Sequence, residues 1–285
     1  MPTAAPRLGL VFRPQQPPEQ LRATAVAAEE AGLDELWLWE DCFAEGGLTT
    51  AAIALTATRR IGVGIGLLPV PLRNPALTAM ELAVLARTSP GRFLPGVGHG
   101  VLDWMGQVGA RAGSPLTLLR EHLEVLRPLL RGEEVSTDGR YVHLDGVRLA
   151  WPPAQVPPLL VGARGPKTLA LAGRLGDGVI LDCAPDAAAV RAALEAAQAP
   201  EGFDVVAFVP AATGPDARAR LEAEVFLYGD AGPGALAVGS VEQVADLVGG
   251  LARAGATSVV LQPAGDGRDV QEVLELAAAV RSALA

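Results

Sequence analysis

The sequence predicts an α/β protein whose strands close into a parallel barrel. Short apolar runs alternate with helical stretches along almost the whole chain. The alternation repeats about eight times, the number a closed parallel barrel needs. The runs are apolar throughout, as strands buried on both faces should be. An open doubly wound sheet is the alternative architecture. For 285 residues one domain over 1–285 is enough, since barrels of about 250 residues commonly form a single domain. No stretch reads as an interdomain linker, and no residue-level repeat is visible.

The elements follow in order. Leu8 to Phe12 reads as a buried strand; Pro17 and Pro18 open a helix through Ala31, and Gly32 stops it. Asp34 to Trp39 is the second strand, and an Ala/Thr-rich helix runs from about Leu48 to Thr58. Ile61 to Leu68 is the third strand, followed by a helix from about Pro75 to Arg87. The fourth strand, Phe93 to Val97, ends in the turn Gly98-His99-Gly100, and a short amphipathic piece carries Asp103, Trp104 and Gln107. A helix from about Pro115 to Leu130 carries apolar positions at helical spacing (Leu118, Leu119, Leu123, Leu126, Leu130).

Residues 133–150 break the alternation and read as a hairpin insertion, with turn signals at Asp138-Gly139 and Asp145-Gly146. The pattern then resumes. Pro158 to Val161 leads to helix Pro166 to Leu175, and Gly178 to Leu181 leads to helix Asp186 to Ala197. Asp204 to Val209 leads to a helix from about Pro215 to Tyr228. A Gly/Pro-rich connection over 229–239 precedes helix Val241 to Ala254, and strand Ser258 to Leu261 with helix Val270 to Leu284 closes the chain.

Half of the residues are hydrophobic and 19% are charged, so a large core of Ala, Val and Leu is available. Lys and Arg number 23 against 32 Asp and Glu, a net charge of −9. An acidic chain with no basic run argues against a nucleic-acid surface and against docking on anionic membranes. Cys42 and Cys183 are too far apart to suggest a disulfide framework or a metal site, so no metal is expected. No signal-peptide pattern opens the chain and no apolar run approaches a membrane span. The expectation is a soluble cytoplasmic protein acting on a small molecule.

In such barrels chemistry sits on the loops after the strands. The fourth strand's end joins a histidine, which can exchange a proton near neutral pH, to glycines that let backbone approach a ligand. His99 is therefore read as a ligand contact, against the ordinary role of a packing or capping residue. Glu40 and Asp41 crowd two carboxylates after the second strand, which can raise a pKa into a useful range; a helix cap is the plainer role for Asp41. Trp104 reads as a stacking wall or as core. Cys42 has no histidine nearby in sequence and reads as a small buried side chain. His122 and His143 lie in a helix and in the insertion and read as structural.

The loop after the fifth barrel strand, Gly162-Ala163-Arg164-Gly165-Pro166-Lys167, is a phosphate cradle in outline. Glycines free the backbone, Pro166 suits a first helical turn, and the helix N-terminus offers N–H groups beside two cations. The spacing is not that of a P-loop. An ordinary helix start with two solvated cations is the plainer interpretation.

These residues carry a resemblance. The stretches WLWEDCF (37–43), GLLPVPLRNPALTAMELAVLA (66–86), PGVGHGVLDWMGQVGA (95–110) and VGARGPKTLALAGRLGDGVIL (161–181) resemble the luciferase-like monooxygenase superfamily, and within it the deazaflavin-using oxidoreductases. The resemblance implies a TIM (β/α)8 barrel with insertions, holding a flavin-type ring in its mouth. It implies coenzyme F420 as the cofactor, with FMN as the alternative. A bulge with a non-prolyl cis peptide in strand three backs the ring in that branch; the matching residues are Gly66, Leu67 and Leu68, with Pro69 following.

By the same resemblance Gly162 to Lys167 bind the cofactor's phosphate, and Asp41 and His99 sit where family members contact the ring or substrate. On that footing Gly98, His99 and Trp104 are expected to line the pocket, and His99 with Asp41 to handle the proton. Many deazaflavin members have Asp-His after strand two, where this chain has Asp41-Cys42. His99 is thereby the better candidate for proton transfer. The expected function is an oxidoreductase exchanging hydride between F420 and a small organic substrate. An FMN-dependent monooxygenase and a non-catalytic flavin-binding barrel are the alternatives. A phosphosugar-metabolising barrel fits less well, because Lys167 is the only lysine. Ala- and Leu-rich helix faces permit homodimerisation, which is common in the family.

Overall fold

The apolar runs become strands and the periodic stretches become helices, within a residue or two of their expected ends apart from the start of the first helix. In order these are β1 (Arg7–Phe12), α1 (Leu21–Glu30), β2 (Glu35–Leu38), α2 (Gly47–Ala57), β3 (Gly62–Pro69), α3 (Pro75–Thr88) and β4 (Phe93–Gly98). There follow α4 (Leu102–Gln107), α5 (Pro115–Leu130), β5 (Val135–Asp138), β6 (His143–Val147), β7 (Leu160–Gly162), α6 (Pro166–Leu175), β8 (Gly178–Leu181) and α7 (Ala187–Ala197). The chain finishes with β9 (Asp204–Ala211), α8 (Ala217–Leu227), α9 (Val241–Ala254), β10 (Ser258–Pro263) and α10 (Val270–Ala283). The computed structural model describes residues 5–227, 234–265, 267 and 270–284. Tyr228 and residues 229–233 of the Gly/Pro-rich connection lie outside the described residues.

Eight parallel strands close on themselves in the order β1-β10-β9-β8-β7-β4-β3-β2, the barrel expected rather than an open sheet. The insertion is the antiparallel pair β5–β6. It is pinned to α5 by the Glu121 carboxylate, which accepts N–H bonds from Arg140 (3.1 Å), Tyr141 (2.8 Å) and Val142 (3.1 Å). Local chemistry sets several helix ends. Pro17–Pro18 opens a 3₁₀ turn at Pro18–Gln20, so α1 proper begins later than expected. Asn74 accepts from Ala76 N–H ahead of Pro75 in α3. Ser240 and Gln243 make a reciprocal capping box on α9, and Gly255 ends that helix in the left-handed region.

The barrel's two ends differ. At the N-terminal end the Glu35 carboxylate meets Arg7 Nε at 2.6 Å and accepts from Ser258 Oγ (2.6 Å) and the Trp37 indole N–H (2.8 Å). Arg7 also donates to Asp204 at 2.8 Å. The buried Glu35 charge is thus paired, as burial requires, and with the partly exposed Arg7 and Asp204 it closes the floor. Above them Val11, Trp37, Leu160, Ile180, Val206, Phe208 and Val260 fill the interior. Trp37 and Phe208 meet edge to face with centroids 5.4 Å apart. The larger core lies between strands and helices. Among the described residues no helix is long and apolar enough to cross a membrane.

Candidate active site

Above Phe208 the C-terminal end of the barrel opens into a cavity of about 610 Å³. Strand ends and the loops after them supply its walls: Trp39 and Asp41 after β2, Leu67 and Pro69 on β3, His99 after β4, Gly162 to Gly165 from β7, Cys183 after β8, and Gln262 on β10. Val101, Leu102 and Trp104 at α4 line another side, and Glu224 and Val225 of α8 a further one.

The β3 wall departs from regular pairing. The Gly66–Leu67 peptide is cis, and the register against β4 shifts between Ile65 and Leu68. This is the bulge expected in strand three. It lays the Leu67 side chain across β4 and β7. A Cβ at Gly98 would stand 2.5 Å from Leu67 Cδ2, and one at Gly162 only 2.1 Å from it. Two glycines therefore make room for one leucine. A second non-prolyl cis peptide joins Cys42 to Phe43 after β2.

His99 is half-buried, with Nε2 3.2 Å from the Thr168 hydroxyl. Its Nδ1 is buried without a hydrogen-bond partner. Burial pushes the imidazole below the usual histidine range; the Pro115 carbonyl, outside hydrogen-bonding geometry, pulls the other way. His99 is thus neutral near pH 7, able to accept a proton. Burial raises the Asp41 carboxyl, with the Arg13 guanidinium opposing. The expected crowding by Glu40 is not the cause. Glu40 turns away to accept from Arg73 Nη2 (2.5 Å) and from Gly47 N–H at the start of α2 (2.8 Å), so its charge is compensated.

Arg13, directly after β1, is almost fully buried. It pairs with Glu224, donates to the Pro263 carbonyl at 3.0 Å, and stacks 5.1 Å from the Trp39 ring centre. Glu224 also accepts from Gly265 N–H at 2.9 Å, tying α8 to the end of β10. On the other side α6 starts at Pro166, with Gly165 as N-cap and no side-chain cap. A Cβ at Gly165 would meet nothing within 4 Å, so this helix end faces open space. Arg164 forks onto Asp182 at 2.6–3.1 Å along the exposed rim.

The luciferase-like monooxygenase model matches residues 4–232. This chain belongs to that family. Relatives include a 5,10-methylenetetrahydromethanopterin reductase from Methanolobus tindarius, 32% identical over 61% of this chain and 53% of that one. Another is an F420-dependent glucose-6-phosphate dehydrogenase from Gordonia bronchialis, 33% identical over 57% of this chain and 52% of the relative. The matches thus span about half the length of these relatives. Among solved structures the coenzyme F420-dependent tetrahydromethanopterin reductase of Methanopyrus kandleri superposes with TM-score 0.81. It is 22% identical, covering 99% of this chain and 100% of that one. The luciferase-like fold extends over the whole barrel.

Within this family frame, Asp41, Gly66, Leu67, Pro69, His99, Trp104, Gly162, Ala163, Arg164 and Gly165 come together on one cavity. Four other expected contacts do not line it. Leu68 turns outward, its Cδ2 packing where a Cβ at Gly47 would stand. Gly98 lies beneath Leu67. Pro166 and Lys167 point to solvent from the first turn of α6. Cys42 is half-buried rather than enclosed. His122 spans Leu118 and Arg73 carbonyls (3.2 and 3.0 Å), away from the cavity. Sequence reasoning missed Arg13, Trp39, Thr168, Phe208 and Glu224. An arginine directly after the apolar run of strand one was the available signal.

Proposed function

We propose that the chain is a coenzyme F420-dependent oxidoreductase that exchanges hydride with a small organic substrate. The named F420 relatives support this reading, and the observation that carries it is the Leu67 wall beside the open N-terminus of α6. An apolar bulge suits the face of a flat deazaflavin ring. The uncapped helix end, with its N–H groups and dipole, suits the phosphate of the ring's tail. Gly162 to Gly165 and Thr168 would hold that phosphate, with Arg164 and Lys167 at the exposed rim. The residues present therefore fit the group.

Coenzyme F420, when bound, supplies a hydride donor or acceptor, the hard part of the chemistry. The protein's own residues supply orientation and the proton. Leu67, Pro69 and Trp104 exclude water from the cavity. Thr168 fixes the imidazole of His99, which in its neutral form takes the proton of a substrate hydroxyl. In the opposite direction the protonated imidazole returns it. Asp41, half-buried on the same wall system, accepts or shares that proton through its raised carboxyl.

Titration of the purified protein with F420 and with FMN tests the reading. Saturable quenching of deazaflavin fluorescence, with weak or no FMN binding, is the expected result. Tight FMN binding without F420 binding would replace it with the monooxygenase reading. Good cofactor binding without turnover over a broad substrate panel would favour a storage barrel.

A further inference from the structure

We infer that the substrate of this site is uncharged and largely apolar, and that carboxylates and phosphorylated sugars are excluded from the cavity interior. The inference rests on the oxidoreductase reading only in calling the ligand a substrate.

The cations around the cavity are already matched. Arg13 is held by Glu224 and by the Pro263 carbonyl. Arg73 is held by Glu40 and Glu81, at 2.5 and 3.0 Å. Arg164 is held by Asp182. The lining itself carries Glu40, Asp41, Asp182 and Glu224 against Arg164 alone among the described residues. An anion entering the interior must either displace a carboxylate from its arginine or lose its water without a counter-charge. Both are costly in a partly desolvated site.

The two sides of the cavity differ in how firmly these pairs are fixed. The Arg164 side chain is 60% exposed, so its pair with Asp182 is screened and can be shared with a phosphate at the rim. The Arg13 side chain is 4% exposed, and its pair with Glu224 is shut in under Trp39. That inner side joins aromatic and aliphatic walls to a few polar groups. Trp39 and Phe208 form a tilted pair with centroids 6.1 Å apart, and Val225 stands beside them in the lining. The Asp41 carboxyl accepts no hydrogen bond among the described residues, and with Gln262 it offers polar contacts for a hydroxyl or carbonyl. An uncharged ring compound bearing one oxygen meets all of these conditions.

Trp39 and Trp104 line the cavity, so intrinsic fluorescence reports occupancy with or without cofactor. The test titrates cyclohexanone, cyclohexanecarboxylate and glucose 6-phosphate into the cofactor-free and the F420-loaded protein. Cyclohexanone is expected to bind about tenfold or more tightly than either anion, as an unpaired buried charge demands. Glu224→Gln, which releases Arg13 from its carboxylate, is expected to raise cyclohexanecarboxylate affinity about tenfold and to leave cyclohexanone within about twofold. If circular dichroism shows that variant unfolded, Asp41→Asn is the second arm, with the same gain expected for the carboxylate.

Anions binding the wild-type protein as well as cyclohexanone does would overturn the inference. F420 titration separates the two readings. Binding of F420 together with a preference for anions removes the substrate class and leaves the cofactor. A preference for cyclohexanone without F420 binding removes the cofactor and leaves the ligand class.

Discussion

The Nε2 atom of His99, after β4, lies 3.2 Å from the hydroxyl of Thr168 in the first turn of α6. One hydrogen bond therefore joins the loop proposed to handle the proton to the helix proposed to hold the phosphate. Thr168 orients the imidazole and stands in the first turn of α6, one bond from His99.

His99→Ala is expected to lower turnover by about 10²-fold, the scale of a lost general base. F420 affinity, read by deazaflavin fluorescence, should change far less. Thr168→Val should keep the ring but loosen it, and Thr168→Ser should restore most of the loss. The acid limb of the kcat/KM profile should lie below 6.5, the imidazole's ordinary value, because burial disfavours its charged form. A limb above 6.5, or a variant losing affinity and not turnover, would make His99 a binding residue.

Gly162→Ala places a methyl group 2.1 Å from Leu67 Cδ2. Leu67 must then move toward the cavity. A cost of roughly 1–3 kcal/mol is expected from overpacking, measured by urea denaturation. Cofactor affinity should fall with it. The companion Leu67→Ala in the Gly162→Ala background should recover stability and not affinity.

Lys167 is the chain's sole lysine, yet it stands exposed on the outer side of the first turn of α6. Lys167→Ala is expected to weaken F420 binding by less than about 1 kcal/mol at moderate salt, the scale of a screened surface charge. The effect should shrink further as salt rises. A loss of about 1.5 kcal/mol or more, the range of a charged hydrogen bond, would show that the ammonium reaches the phosphate directly.

Glu29, on α1, accepts N–H bonds from Arg59, Arg60 and Ile61 at 2.9, 2.5 and 2.9 Å. Burial opposes ionisation, but these three donors outweigh it and hold the carboxyl at about 2 against an ordinary 4.5. The folded state thus binds fewer protons than the unfolded state between these values. The contribution is complete above about 4.5 and fades as pH falls through about 2. Glu29→Gln should therefore be less stable than wild type at pH 6, with the gap closing in acid. Parallel pH–stability curves for the two proteins would refute this.

The barrel was readable because its strands are apolar runs cut by proline, glycine and charge. α5, α6, β8 and α9 begin and end where periodicity and breakers place them. The cavity lining was readable where one loop concentrates several special residues, as at His99 and Gly100 and at Gly162 to Gly165. It was unreadable where closure of the barrel joins distant positions. Arg13 and Glu224 are 211 residues apart, and neither has a local pattern that names the other. Phe208 looks like any strand residue, since alternation does not tell the middle of a barrel from its mouth. Asp41 was singled out for crowding by Glu40, a charge that Arg73 and α2 take away.

The sealed floor of Glu35, Arg7, Ser258 and Asp204 has a consequence for traffic. A barrel stopped at one end by the buried Glu35 carboxylate and its partners is, among the described residues, a blind alley open at the other end. Arriving and departing molecules must use the same passage, so a product cannot be flushed out from behind by the next substrate. Turnover then includes a wait for the doorway to clear, and residues at the rim, far from any bond that changes, gain a hold on the pace of the whole cycle.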